Sequence, residues 1–137
     1  MRIMIMHIKK EVEVLNHPKL DFVLLFVENP QKSQDFYAHL LHQSPVESSS
    51  TFVMFALANG VMLGLWSRYT AQPTVTSLPG AMEISFNYED IDGLYQSWLD
   101  LGIQMAQSPT EMEHGRTFVA LDPDGHRIRI NRLKEEI

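Results

Sequence analysis

The chain has 137 residues, 45% of them hydrophobic, with seventeen acidic against eleven basic residues for a formal charge of −6 and no cysteine. That length suits one compact domain or two small fused modules with a packed core. The net acidity and the scatter of Lys and Arg exclude an electrostatic footprint for nucleic acid, while the absence of thiols excludes disulfides, thiolate catalysis and cysteine-based zinc sites and fits a reducing, cytoplasmic setting.

Residues 1–18 form an expected N-terminal extension. The apolar run in MRIMIMHIKKEVEVL is too short for a signal peptide or a membrane span, and no small-residue cleavage site follows it. Residues 19–69 form the first predicted module. FVLLFV, residues 22–27, reads as a strand; Asn29 then caps a helix with Pro30 at its first position, and Phe36, Tyr37, Leu40 and Leu41 give that helix its apolar stripe. TFVMFAL and VMLGLWS flank Asn59-Gly60, which predicts a hairpin closed by a two-residue turn. Residues 70–80, with Pro73 and Pro79, are a linker. Residues 81–137 repeat the order. EISFNY is a strand, Asp90 caps a helix with the stripe Ile91, Leu94, Trp98 and Leu101, Gly102 stops it, and RTFVALDPDGHRIRI is a second hairpin around a D-P-D-G turn. Aligning LFVEN with FNYED and ANG with PDG superposes the halves almost without gaps.

The doubled strand-helix-hairpin pattern, with FVENPQKSQDFY after the first strand and FVALDPDGHRIRI near the end, resembles the vicinal oxygen chelate superfamily, which includes glyoxalase I, extradiol dioxygenases and bleomycin-resistance proteins. LGLWSR and GRTFVALDPDGHRIR resemble more narrowly the phenazine-antibiotic resistance proteins of that superfamily, which bind a planar drug and need no metal. The resemblance implies an α+β fold of two tandem βαβββ modules, with curved mixed sheets paired in a homodimer around two cavities. Metal-dependent members place a ligand on the first and last strand of each module. Those positions here are Phe22, Gly64, Glu83 and Arg129. One carboxylate beside a guanidinium that never deprotonates is no coordination sphere, so no metal or other cofactor is expected. His39 and His42 sit three apart on the first helix, opposite its apolar stripe, where solvated side chains are the rule. His126 reads as structural, and His7, His17 and His114 have no partner pattern.

Strand periodicity then assigns faces. Sharing parity with the former ligand positions are Phe22, Leu24 and Phe26, then Met62, Gly64, Trp66 and Arg68, and in the second module Glu83, Ser85 and Asn87 with Arg127, Arg129 and Asn131. A two-residue turn brings Phe55 to the same face, and the matching step brings Phe118. Leu63, Leu65, Ile84, Phe86, Ile128 and Ile130 face the helices, and Trp98 belongs to the core. Gly64 leaves room above the sheet for a ring beside Trp66. The candidate ligand-binding residues are therefore Trp66, Phe55, Phe22, Phe118, Glu83, Arg129 and Arg68, with Arg129 holding a ring carboxylate; the alternative is that Glu83 and Arg129 merely pair. The expected function is metal-independent sequestration of a planar aromatic small molecule such as a phenazine antibiotic, with no nucleic-acid or membrane partner. One alternative is a lyase, isomerase or dioxygenase of the same fold, using Glu83 as general base or sole metal ligand and Arg129 to stabilise an oxyanion. The other is an accessory module whose cavity is filled by its own side chains.

Overall fold

The computed structural model describes residues 18–134, so all but the last residue of the predicted N-terminal extension lies outside the described residues. The strand-helix-hairpin order occurs twice. The first unit runs β1 (Phe22–Val27), α1 (Pro30–Leu41), β2 (Glu47–Ser48), β3 (Phe52–Ala56) and β4 (Met62–Ser67). The second runs β5 (Glu83–Asn87), α2 (Ile91–Asp100), β6 (Met105–Met112), β7 (Gly115–Leu121) and β8 (Arg127–Leu133). Each unit is a four-stranded mixed sheet, ordered β1-β4-β3-β2 and β5-β8-β7-β6. The first strand of each pairs parallel with the last because a helical crossover separates them, and the hairpins supply the antiparallel pairs. Among the described residues no helix is long and apolar enough to cross a membrane.

Both helices start where local chemistry places them. The Asn29 side chain accepts the N–H groups of Gln31 and Lys32 at 3.1 and 3.2 Å, satisfying two of the donors that a helix start leaves free. α1 closes at His42, whose left-handed φ of 53° lets the Gln43 N–H reach the Ala38 carbonyl. Asp90 accepts the Gly93 N–H at 3.1 Å to open α2. Ile91 and Trp98 of its stripe are buried and Leu94 packs beside them. Leu101 is a correction: it lies past the last helical residue, where the chain turns toward Gly102, and is 54% exposed. Tyr95 takes its place, meeting Phe118 edge-on at 5.4 Å, as Trp98 also does.

Register is the second correction. The β3–β4 loop is not a two-residue turn. Leu57 and Val61 still pair through an N–H to carbonyl bond of 2.8 Å, leaving a three-residue loop, Ala58-Asn59-Gly60, in which Asn59 and Gly60 have φ of 65° and 76°. Pro123-Asp124-Gly125 has the same length in the second unit, closed by the Asp122 N–H on the His126 carbonyl at 2.9 Å. One extra loop residue moves every β3 and β7 side chain to the other face. Phe55 therefore pairs with Leu63 and Phe118 with Ile130, and both rings are fully buried under the helices rather than facing a ligand. Phe52 and Met54 join Gly64 and Trp66 on the outer face, and Thr117 and Val119 join Arg129 and Asn131.

The turn between β7 and β8 docks onto the first unit. Asp122, buried, accepts the Tyr37 hydroxyl on Oδ2 at 2.6 Å and the N–H groups of Asp124 and His126 on Oδ1 at 2.9 Å each. Burial, and next the Asp122 carboxylate, push the Tyr37 phenol far above its ordinary range, so it remains a donor. Asp124 accepts the Glu28 N–H at 2.9 Å, and His126 Nε2 lies 3.3 Å from the Phe26 carbonyl.

Two stability measurements check this description by urea denaturation. Tyr37→Phe strands a buried carboxylate oxygen and is expected to cost about 1–3 kcal/mol, with Asp122→Ala costing more because it also frees two backbone N–H groups. Phe55→Ala is expected to cost about 3–5 kcal/mol, and Phe52→Ala, on the half-exposed face, clearly less. Equal costs for the two Phe variants would contradict the register.

Candidate ligand-binding site

The outer face of the first sheet, away from α1, carries a row of four aromatic rings. Phe22 lies 6.2 Å from Phe52, Phe52 lies 6.0 Å from Trp66 nearly edge-on, and Trp66 lies 6.2 Å from Phe26. The parallel β1–β4 register sets Phe22, Leu24 and Phe26 beside Met62, Gly64 and Trp66, so the row is a property of strand parity and pairing. Each ring is partly exposed. The expected gap above Gly64 is absent. A Cβ there would stand 2.6 Å from Leu24, 2.7 Å from Phe22 and 3.1 Å from Phe52, so the glycine is the seat on which these side chains converge.

At the Phe26 end the row opens into a cavity of about 270 Å³. Leu24 and Phe26 of the first sheet, His126 of the β7–β8 turn and residues between Val75 and Met82 line it. Arg68, one step beyond Trp66 on the same face, lines it too. The Arg68 Nη2 donates to the Ser77 carbonyl at 3.4 Å, and Nη1 lies 3.8 Å from Glu28 Oε2. The Gly80 N–H points at His126 Nδ1 at 3.3 Å, tying the linker to the β7–β8 turn.

The outer face of the second sheet is polar. Glu83 receives Arg129 Nε at 3.0 Å, a longer contact from Arg129 Nη2, and Arg127 Nε at 2.9 Å. Arg129 Nη1 turns to Thr117 Oγ1 at 3.2 Å and Gln107 Oε1 at 3.4 Å. Four of the five N–H bonds of that guanidinium are therefore taken. The hydrogen bond from Arg129, with the charges of both arginines, holds the Glu83 carboxyl below the usual carboxylate range against a smaller opposing effect of burial. Asn131 bonds Ser85 and meets His114 Nε2 at 3.1 Å.

The four positions that hold metal in the related chelate enzymes do not fit one here. Phe22 and Gly64 offer no donor, Arg129 is a cation, and the Glu83 oxygens already belong to two guanidinium groups. Among the described residues no three His, Asp or Glu side chains gather. His39 and His42 are exposed, with ring centroids 6.2 Å apart. Of the candidates from sequence, Phe22, Trp66 and Arg68 lie along one face, Glu83 and Arg129 pair on the other sheet, and Phe55 and Phe118 are core. Sequence reasoning missed Phe52, which the odd loop length would have supplied, and the linker rim, for which no local signal existed.

A family model of the Glyoxalase/Bleomycin resistance protein/Dioxygenase superfamily matches residues 19–130. The chain is 31% identical over 113 residues to the phenazine antibiotic resistance protein EhpR of Enterobacter agglomerans, spanning 78% of this chain and 86% of that protein. The solution structure of ATC0852 from Agrobacterium tumefaciens, 43% identical, superposes with a TM-score of 0.78 over 87% of this chain and all of its own. TnmS3, an antibiotic binding protein from Streptomyces sp. CB03234, shares the fold at 18% identity and a TM-score of 0.69 over 86% of this chain and 98% of its own. With the doubled βαβββ sheet, the family match over most of the chain and these likenesses in agreement, the protein belongs to the Glyoxalase/Bleomycin resistance protein/Dioxygenase superfamily.

Proposed function

We propose that this protein binds a planar aromatic small molecule of the antibiotic type, sequestering it without a metal and without turnover. The observation that carries the reading is the row Phe22, Phe52, Trp66 and Phe26, partly exposed on the sheet face opposite α1 and ending beside an apolar cavity. Flat rings stack on such a surface, and aromatic pairs contribute about 0.5–1.5 kcal/mol beyond area burial. The names of two relatives, one a phenazine resistance protein and one an antibiotic binding protein, point the same way. The opposite reading, catalysis by Glu83, is disfavoured because a carboxylate held low by two arginines is a weaker base. In this proposal Glu83 and Arg129 serve as a rigid polar wall. The protein acts as a homodimer, since an apolar sheet face of this extent needs a cover and the polar sheet of a second copy would supply it.

Tryptophan fluorescence tests the proposal directly. Trp98 is buried in the core and Trp66 is on the ligand face. Titration of the full-length protein with phenazines in EDTA is expected to quench Trp66, and Trp66→Ala to weaken binding by at least about tenfold. Absence of quenching by every planar aromatic tried, or binding that requires added metal, would overturn it.

A second measurement concerns the polar wall. Because Glu83 has a lowered folded-state pKa, its stabilising contribution is present above its unfolded value and is lost as pH falls through the folded one. The Tm difference between the natural protein and Glu83→Gln is therefore expected at neutral pH and to vanish only once pH has fallen below the lowered folded-state pKa. Glu83 is about a third exposed, so screening should keep the difference small, on the order of 1 kcal/mol or less.

A further inference from the structure

We infer that Arg68 is the anion anchor of the site, so that the preferred ligand is a planar aromatic carboxylate whose ring lies over Phe26 and Trp66 and whose charged end enters the cavity under the linker. The inference rests on the aromatic-binding reading and adds to it the ligand's charge and orientation.

Arg127, Arg129, Arg116 and Arg68 differ in what already holds them. Arg127 and Arg129 share Glu83, and Arg129 has two further acceptors. Arg116 is held by both oxygens of Asp92 at 2.7 and 2.9 Å and by Glu111 at 3.3 Å. Drawing any of these to a ligand breaks a formed ion pair. Arg68 is the one residue carrying a fixed charge among those lining the cavity. Among the described residues its one hydrogen bond, to the Ser77 carbonyl, is long, and Glu28 stands at ion-pair rather than hydrogen-bond distance. Most of its five N–H groups are thus available, in the fork that matches a carboxylate. The Tyr69 hydroxyl donates to the other Glu28 oxygen, and Glu28 is 55% exposed, so water and salt screen its repulsion of an incoming anion. Arg68 itself is 21% exposed, which leaves it less screened and a stronger partner.

Geometry sets the orientation. Phe26 and Arg68 both line the cavity of about 270 Å³, so a ring face and a charged group can be met in one place. A ring that extends beyond the cavity reaches Trp66, whose ring lies 6.2 Å from that of Phe26. Leu78 and Met82 give the cavity mouth an apolar rim suited to the ring edge. Among the described residues, a charged end elsewhere along the row would meet Phe22, Phe52, Leu24, Met54 and Met62, none of which compensates a carboxylate.

A matched pair of probes tests the inference: a phenazine carboxylic acid and the corresponding carboxamide, titrated by fluorescence into the full chain. The natural protein is expected to favour the acid by about tenfold, the scale of a charge-assisted fork. Arg68→Gln should abolish that preference by weakening the acid alone, leaving the amide within about threefold and Tm unchanged. Arg68→Lys should keep part of it, and Arg129→Gln should keep it all. A natural protein that binds both probes equally, a preference that survives Arg68→Gln, or one lost in Arg129→Gln would each overturn the assignment to Arg68 while leaving aromatic binding intact. Failure of both probes to quench Trp66 would overturn the aromatic-binding reading and this inference with it.

Discussion

The docking of the second unit's turn onto the first, and the cavity beside it, depend on one buried hydrogen bond, from the Tyr37 hydroxyl in the first unit to the Asp122 carboxylate in the second. A carboxylate is tolerated inside a protein only when its oxygens are occupied, and Asp122 achieves this with one phenol and two N–H groups of its own turn. The same residue thus shapes the β7–β8 turn and fastens it to α1. His126 is carried with the turn to the Phe26 carbonyl, and Gly80 of the linker to His126. His126 and Gly80, both in the cavity lining, are placed by that chain of contacts, so the cavity beside the first sheet is built on a turn of the second.

The two sheets share a topology and differ in chemistry. On the first, Gly64 allows Leu24, Phe22 and Phe52 to converge, and the outer face becomes aromatic. On the second, Glu83 absorbs Arg127 and Arg129, and the outer face becomes a closed polar lattice. This division leaves the matching positions of the two sheets with unlike chemistry. A glycine at one ligand position makes space for rings, and an arginine at another neutralises the remaining carboxylate. Neither change disturbs the helix-facing layer of Leu63, Leu65, Ile128 and Ile130, which holds the fold.

What was legible in the sequence was local. Asn29 and Asp90 announced helix starts because a side-chain acceptor one turn from free N–H groups needs no tertiary help. The faces of β1 and β4 followed from alternation alone, which is why Phe22, Trp66 and Arg68 could be grouped before any coordinates. Alternation fails once it must cross a loop of unknown length. Asn59-Gly60 is as compatible with a three-residue loop as with a two-residue turn, and that difference moved Phe55 and Phe118 into the core and Phe52 onto the surface. Leu101 failed for a related reason, since a periodic stripe does not say where the last helical turn stops.

The sequence by itself therefore determined the duplicated strand-helix-hairpin order, the helix caps and the side-chain parity of β1, β4, β5 and β8. Each of these depends on residues close in the chain or on the chemistry of a single side chain. Only the tertiary structure decided which of two arginines is fully engaged. Arg68 and Arg129 are equivalent as letters, and what separates them is that residues 46, 22 and 12 positions away in the chain converge on Arg129, while among the described residues Arg68 meets a carbonyl at 3.4 Å, a distant carboxylate and the ring of Tyr69. The availability of a charge is a property of the partners that folding brings to it, and those partners lie too far along the chain for local sequence to name.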